Sequence, residues 1–288
     1  MISTFINLQS LEFFAGYSVH RESWIGLGGL SLASNLRRFK VTYNLVQNLS
    51  LHYILDMLSD IPNLEDVVVR TCDETHITCE DGELELSDRK KLDSVRRLQL
   101  HCPSGDLLTP VLQRFSLITD LDVNMTGNYS NTFARNPFLC VANGLEKFSL
   151  GNFLDWPEHF IFDVLKMTMP KLREFVLLGM LGAPENWMMA LGDAKIPRLK
   201  TLVFKPMDWE AMVQGIPIAQ LDRLALSGAF PDLNRVVITV ESSRHDSTEA
   251  QILEEYLRGL KSSREKFKMK GIVVEFALED GELPAHAL

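Results

Sequence analysis

Apolar residues recur along this chain in a small fixed pattern. A leucine-like residue is followed by two residues of any kind, an apolar residue, one residue of any kind and a second apolar residue. The clearest copies are Leu172-Arg173-Glu174-Phe175-Val176-Leu177 and Leu199-Lys200-Thr201-Leu202-Val203-Phe204. Alternation of this kind predicts a strand with one buried face. Copies open at Leu8, Leu36, Leu64, Val95, Ile118, Leu145, Leu172, Leu199 and Leu233, and a weaker tenth opens at Met269 with Ile272 and Val274. So loose a triplet also arises by chance, and the spacing decides. From Leu8 to Leu199 successive openings lie 23 to 31 residues apart, then 34 and 36. Leu221, Leu224 and Leu226 also fit the triplet, but they stand only 12 residues before Leu233. That is too close for a strand and its return, so 218–226 is predicted to be helical.

A period of about 20–29 residues is that of leucine-rich repeats, each one strand and a return. Pro62, Pro170, Pro197 and Pro231 each stand two residues before an opening, where proline ends a preceding helix and favours an extended chain. The returns carry helical spacing over 49–58, 107–115 and 160–167, and most strongly over 247–260, where Ser247 or Thr248 can cap the start. The expected fold is an α/β leucine-rich-repeat solenoid, a curved parallel sheet with helices on its convex side. It would run over residues 1–278 as about nine to ten irregular units. Residues 72–94 read as a polar insertion with a short strand at 84–86, residues 241–247 as an exposed loop, and 279–288 as a disordered acidic tail.

In this pattern the third, fifth and seventh residues of each unit point away from the buried ones, onto the concave face. The third-position row is Ser10, Arg38, Asp66, Arg97, Asp120, Lys147, Glu174, Thr201 and Arg235. From Arg38 to Glu174 its charge changes sign at every step. Adjacent strands lie about 4.8 Å apart, so the row reads either as a solubilising ladder of exposed ion pairs or as a recognition stripe. The fifth-position row is Glu12, Lys40, Val68, Gln99, Asp122, Ser149, Val176, Val203 and Val237. With Leu178 it predicts an exposed apolar patch on the later strands, flanked by Glu174, Lys205 and Arg235. The alternatives are a covered patch or plain strand filler.

A net charge of −9 argues against binding a phosphate backbone. No apolar run reaches the length of a membrane span, and the first residues lack a secretory signal. Four cysteines, Cys72, Cys79, Cys102 and Cys140, are too few for a disulfide framework, so the expectation is a reduced protein of the cytoplasm or nucleus. Sequons at Asn48, Asn124 and Asn128 carry little weight in that setting. Cys72, His76, Cys79, His101 and Cys102 are the residue types of a zinc set, but their spacing matches no common ligand pattern. Cys72 and Asn44 suit instead the ninth position of a unit, where a side chain bonds the turn. The glycine-rich run 26–31 lacks the lysine of a phosphate loop, and no catalytic motif is present. Trp24, Trp156, Trp187 and Trp209 all fall in returns, where packing is the plain role and Trp156 and Trp209 are candidate contacts. Neither an enzyme nor a cofactor site is expected.

The openings 61–64, 169–172, 196–199 and 230–233, together with the closing segments 256–260 and 270–274, resemble the leucine-rich-repeat region of F-box-type proteins, particularly the large fungal sets. The resemblance implies a non-enzymatic module that binds a protein and selects substrates for a cullin-type ubiquitin ligase through a Skp-type adaptor. The F-box that would hold the adaptor spans about forty residues in such proteins, and the first unit here opens at Leu8, so the chain reads as a fragment of such a protein or as an orphan array, and selects ubiquitination substrates only if it acts with an F-box elsewhere. A scaffold or enzyme inhibitor of the same fold is the alternative.

Overall fold

The computed structural model describes residues 7–15, 34–43, 51–71, 90–102, 108–125, 136–151, 158–178, 190–206, 221–224, 228–240 and 247–278. The chain divides into two compact units, Met1–Gly144 and Leu145–Leu288. Each is α/β and, among the described residues, holds five parallel strands paired in chain order.

In the first unit the strands are β1 (Ser10–Ala15), β2 (Arg38–Tyr43), β3 (Asp66–Thr71), β4 (Arg97–Cys102) and β5 (Asp120–Met125). Helices α1 (Leu51–Leu58) and α2 (Leu108–Leu112) lie in its returns. In the second unit the strands are β6 (Lys147–Gly151), β7 (Glu174–Leu178), β8 (Thr201–Lys205), β9 (Arg235–Val240) and β10 (Val273–Leu278). Helices α3 (Glu158–Leu165) and the long α4 (Ser247–Met269) lie in its returns, and α4 continues past the predicted 247–260. Strand followed by return and parallel strand is the connection that puts helices over one sheet face.

The core follows the triplet. The opening residues Leu36, Leu64, Val95, Leu145, Leu172 and Leu199 are fully buried. So are the fourth residues Phe39, Val67, Leu98, Leu121, Phe148, Phe175, Leu202 and Val236. The Phe148 and Phe175 rings stack with centroids 5.5 Å apart. From α1, Ile54, Leu55 and Leu58 join this core, and from α2 Leu108, Val111 and Leu112. Full burial of one such side chain contributes about 1.5–3 kcal/mol.

A second regularity lies in the backbone. The carbonyl of the second residue of a unit accepts the N–H groups of both the second and third residues of the next. Gln9 accepts from Arg37 and Arg38, Arg37 from Glu65 and Asp66, Glu65 from Arg96 and Arg97, and Arg96 from Thr119 and Asp120. In the second unit Glu146, Arg173 and Lys200 do the same. Among the described residues, another apolar residue three before an opening is also buried at Ile61, Leu92, Phe115, Met169, Ile196 and Phe230. The N–H groups of Val95, Leu172, Leu199 and Leu233 donate back to the carbonyls of Leu92, Met169, Ile196 and Phe230. Pro170, Pro197 and Pro231 therefore sit second in a four-residue turn, where their fixed φ is preset.

The rejected triplet is helical at 221–224 and buries Leu221 and Leu224, while β8 pairs directly with β9. The tenth unit departs from expectation. Met269 is 81% exposed, so it is no core residue. Val274 pairs in register with Val236 and Phe276 with Ile238, two residues later than the Met269 frame requires. The cause is the end of α4. Gly271, at φ +74°, donates to the Lys268 carbonyl, and Ile272 donates to the Phe267 carbonyl. This left-handed cap takes up the residues that the pattern had assigned to the strand.

The insertion between β3 and Lys90, the loop at 241–246, the tail from 279, the glycine-rich run, Asn44, Asn48, Asn128 and the four tryptophans lie outside the described residues.

Candidate functional site

Each sheet has one face toward the helices and one outward. The outward rows are laid out as the triplet dictates. In the first unit Ser10, Arg38, Asp66, Arg97 and Asp120 stand in register. In the second the row is Lys147, Glu174, Thr201, Arg235 and Val273.

The charges resolve into discrete cross-strand pairs. Arg38 Nε lies 3.0 Å from Asp66 Oδ2, Arg97 Nε 3.4 Å from Asp120 Oδ2, and Lys147 Nζ 2.7 Å from Glu174 Oε1. Lys40 pairs with Glu12 one row along. Arg235 reaches diagonally and grips Glu275 with two bonds, Nε to Oε1 at 2.9 Å and Nη2 to Oε2 at 2.5 Å. That grip, together with the nearby charge, holds the Glu275 carboxyl below the usual carboxylate range. It raises the Arg235 guanidinium further.

The apolar patch expected on the later strands is not an open surface. Val176 and Val237 are buried, and Val203, Leu178 and Lys205 are half-buried. Val176 stands in register between Ser149 and Val203, with Glu174 and Leu178 beside it on its own strand. A side chain this short sinks below its longer neighbours, and Ser149 is buried in the same row.

The first unit is different. Its fifth-position residues Lys40, Gln99 and Asp122 remain partly accessible, and only Val68 is buried. Gln99 Nε2 donates to Asp122 Oδ2 at 3.2 Å. One row along, Arg70, His101 and Asn124 stand in register on β3, β4 and β5. Partial burial lowers the His101 pKa, with Asp122 opposing the shift and Arg70 adding to it. Alternation alone places these residues outward, but the alternating signs of the third-position row draw attention away from the seventh-position residues.

Cys72, His76 and Cys79 lie outside the described residues. Among the described residues no set of three or more His, Cys, Asp or Glu is placed to hold a metal ion. Cys140 Sγ donates to the Pro137 carbonyl at 3.2 Å, and desolvation pushes its thiol pKa up, which weakens it as a nucleophile. Asn124, the first residue of its sequon, lies in β5. No described helix is long and apolar enough to cross a membrane. No protein-family model matches the chain, and no curated protein matches it.

Proposed function

We propose that this chain is a leucine-rich-repeat-type array that binds a protein partner on the outward sheet face of its first unit, without catalysis. The observation that carries the reading is the register of that face. Two polar rows, Arg38-Asp66-Arg97-Asp120 and Lys40-Gln99-Asp122 with Val68 between, run across β2–β5 on adjacent parallel strands. A rigid sheet that holds polar side chains at fixed spacing supplies orientation and partner choice more than raw affinity. The resemblance to F-box-type proteins extends the reading to substrate selection for a cullin-type ubiquitin ligase, with a Skp-type adaptor docked on an F-box outside the array.

Site-specific photo-crosslinking tests the surface. A photoreactive side chain at Arg97, exposed on the outward face, is expected to give a discrete adduct in cells. The same group at Gln113, exposed beyond α2 on the return side, is expected to give none. Adducts from Gln113 alone would place the working surface on the helices.

A further inference from the structure

We infer that the partner of this face presents a basic side chain, an arginine or lysine, which docks over Asp122 and Asn124 on β5, with Arg70 on β3 bonding a carbonyl of the same partner segment. The inference rests on the proposed outward-face reading and specifies its chemistry.

Three polar atoms in this corner of the sheet are shielded from solvent and lack a hydrogen-bond partner: Asp122 Oδ1, Asn124 Oδ1 and Arg70 Nε. Desolvated polar groups of this kind are rare in folded proteins, and each asks for a partner. They are not scattered. Asp122 and Asn124 are alternate residues of β5 and so share a face. Gln99 pairs in register with Asp122, and His101 stands in register between Arg70 and Asn124.

The sum of their needs defines the occupant. Asp122 Oδ1 and Asn124 Oδ1 accept, so two N–H donors are required on one side. Arg70 Nε donates, so one acceptor is required on the other. Gln99 already serves Asp122 Oδ2, and His101, its pKa lowered, brings no cation of its own at neutral pH. A guanidinium or ammonium group fills the donor role, and the main chain that carries it supplies the carbonyl. A carboxylate or phosphate would meet Asp122 at close range. Charge on the larger scale agrees. The chain carries a net −9, which favours encounter with cationic surfaces. Asp66, further along the same face of β3, has an unpartnered Oδ1 as well, so the surplus of acceptors extends beyond the corner.

Selection of random peptides displayed on phage against the purified full chain tests this. Enriched peptides are expected to carry arginine or lysine. Replacing that residue by glutamine should weaken binding about tenfold or more, and so should Asp122→Asn, which removes the charge at constant shape. Asn124→Ala gives a second reading of the same corner should Asp122→Asn disturb folding. Peptides without a basic residue that still fail to bind Gln99→Arg would overturn the inference and leave the outward-face reading standing. Enriched peptides indifferent to Gln99→Arg, Asp122→Asn and Asn124→Ala alike would overturn both. Ordered water satisfying the three atoms predicts basic peptides indifferent to Asp122→Asn, and that result also overturns the inference.

Discussion

Arg114 places its guanidinium Nη1 2.7 Å from Asp56 Oδ1, and the two belong to returns two strands apart. The Arg114 side chain is only 3% exposed, whereas that of Asp56 is 53% exposed. Arg114 also donates twice to the Lys90 carbonyl, from Nε at 3.1 Å and Nη2 at 2.9 Å. The Leu92 N–H returns a bond to the Arg114 carbonyl at 2.8 Å. One side chain thus ties three successive returns of the first unit. Arg114→Met should cost about 2–3 kcal/mol, because it strands a carbonyl and removes charged hydrogen bonds. Asp56→Asn should cost less than about 1 kcal/mol, since the carboxylate is half in water. Urea unfolding of the two variants checks the asymmetry.

Val176 and Val203 stand in register in one outward row of the second unit but differ in exposure. On pattern alone both valines face solvent and aspartate would be harmless at either. With Val176 7% exposed and Val203 half-buried, Val176→Asp should cost about 2–4 kcal/mol and Val203→Asp appreciably less. Thermal midpoints of the two single variants decide this.

Gly271 closes α4 at φ +74°, and a Cβ added there would meet nothing within 4 Å. The cost of Gly271→Ala is therefore conformational, about 1–2 kcal/mol. Gly271→Asn should recover part of it, because asparagine tolerates the left-handed region. Denaturant midpoints of the two variants, compared with Gly192→Ala, where no positive φ is involved, isolate the effect.

His101 makes stability depend on pH in a defined direction. Its pKa in the folded protein lies below the ordinary 6.5, chiefly through desolvation, with Asp122 opposing and Arg70 reinforcing. Below about pH 6.5 the unfolded chain binds a proton that the folded chain refuses, so this contribution is present above that pH and is lost as pH falls. His101→Asn should flatten the decline between neutral pH and the folded pKa. Unfolding free energies measured across that range, in wild type and variant, provide the check.

The strands were legible in the sequence because burial on one face forces alternation, and a one-residue slip would bury Arg38, Asp66 or Glu174. Outward rows in both units therefore match the triplet through β9. At β10 the pattern misled, because Met269, Ile272 and Val274 imitate a triplet across a helix cap. Exposure was less legible than register. Val176 faces the outward side, as alternation requires, yet a short side chain among longer neighbours is buried there. The buried residue three before each opening was open to view in Ile61, Met169, Ile196 and Phe230, but proline beside it suggested a stop rather than a packed turn. The corner around Asp122 depends on which polar atoms lack partners, a property of coordinates and not of residue order.

The most direct test of the account is the affinity of the partner captured at Arg97 for the Gln99→Arg variant. A guanidinium at that position can reach Asp122 from within the sheet, compete with the partner's base and leave the fold intact. The account predicts a dissociation constant at least about tenfold weaker, near 1.4 kcal/mol, with the thermal midpoint unchanged or raised. An unchanged dissociation constant would contradict it.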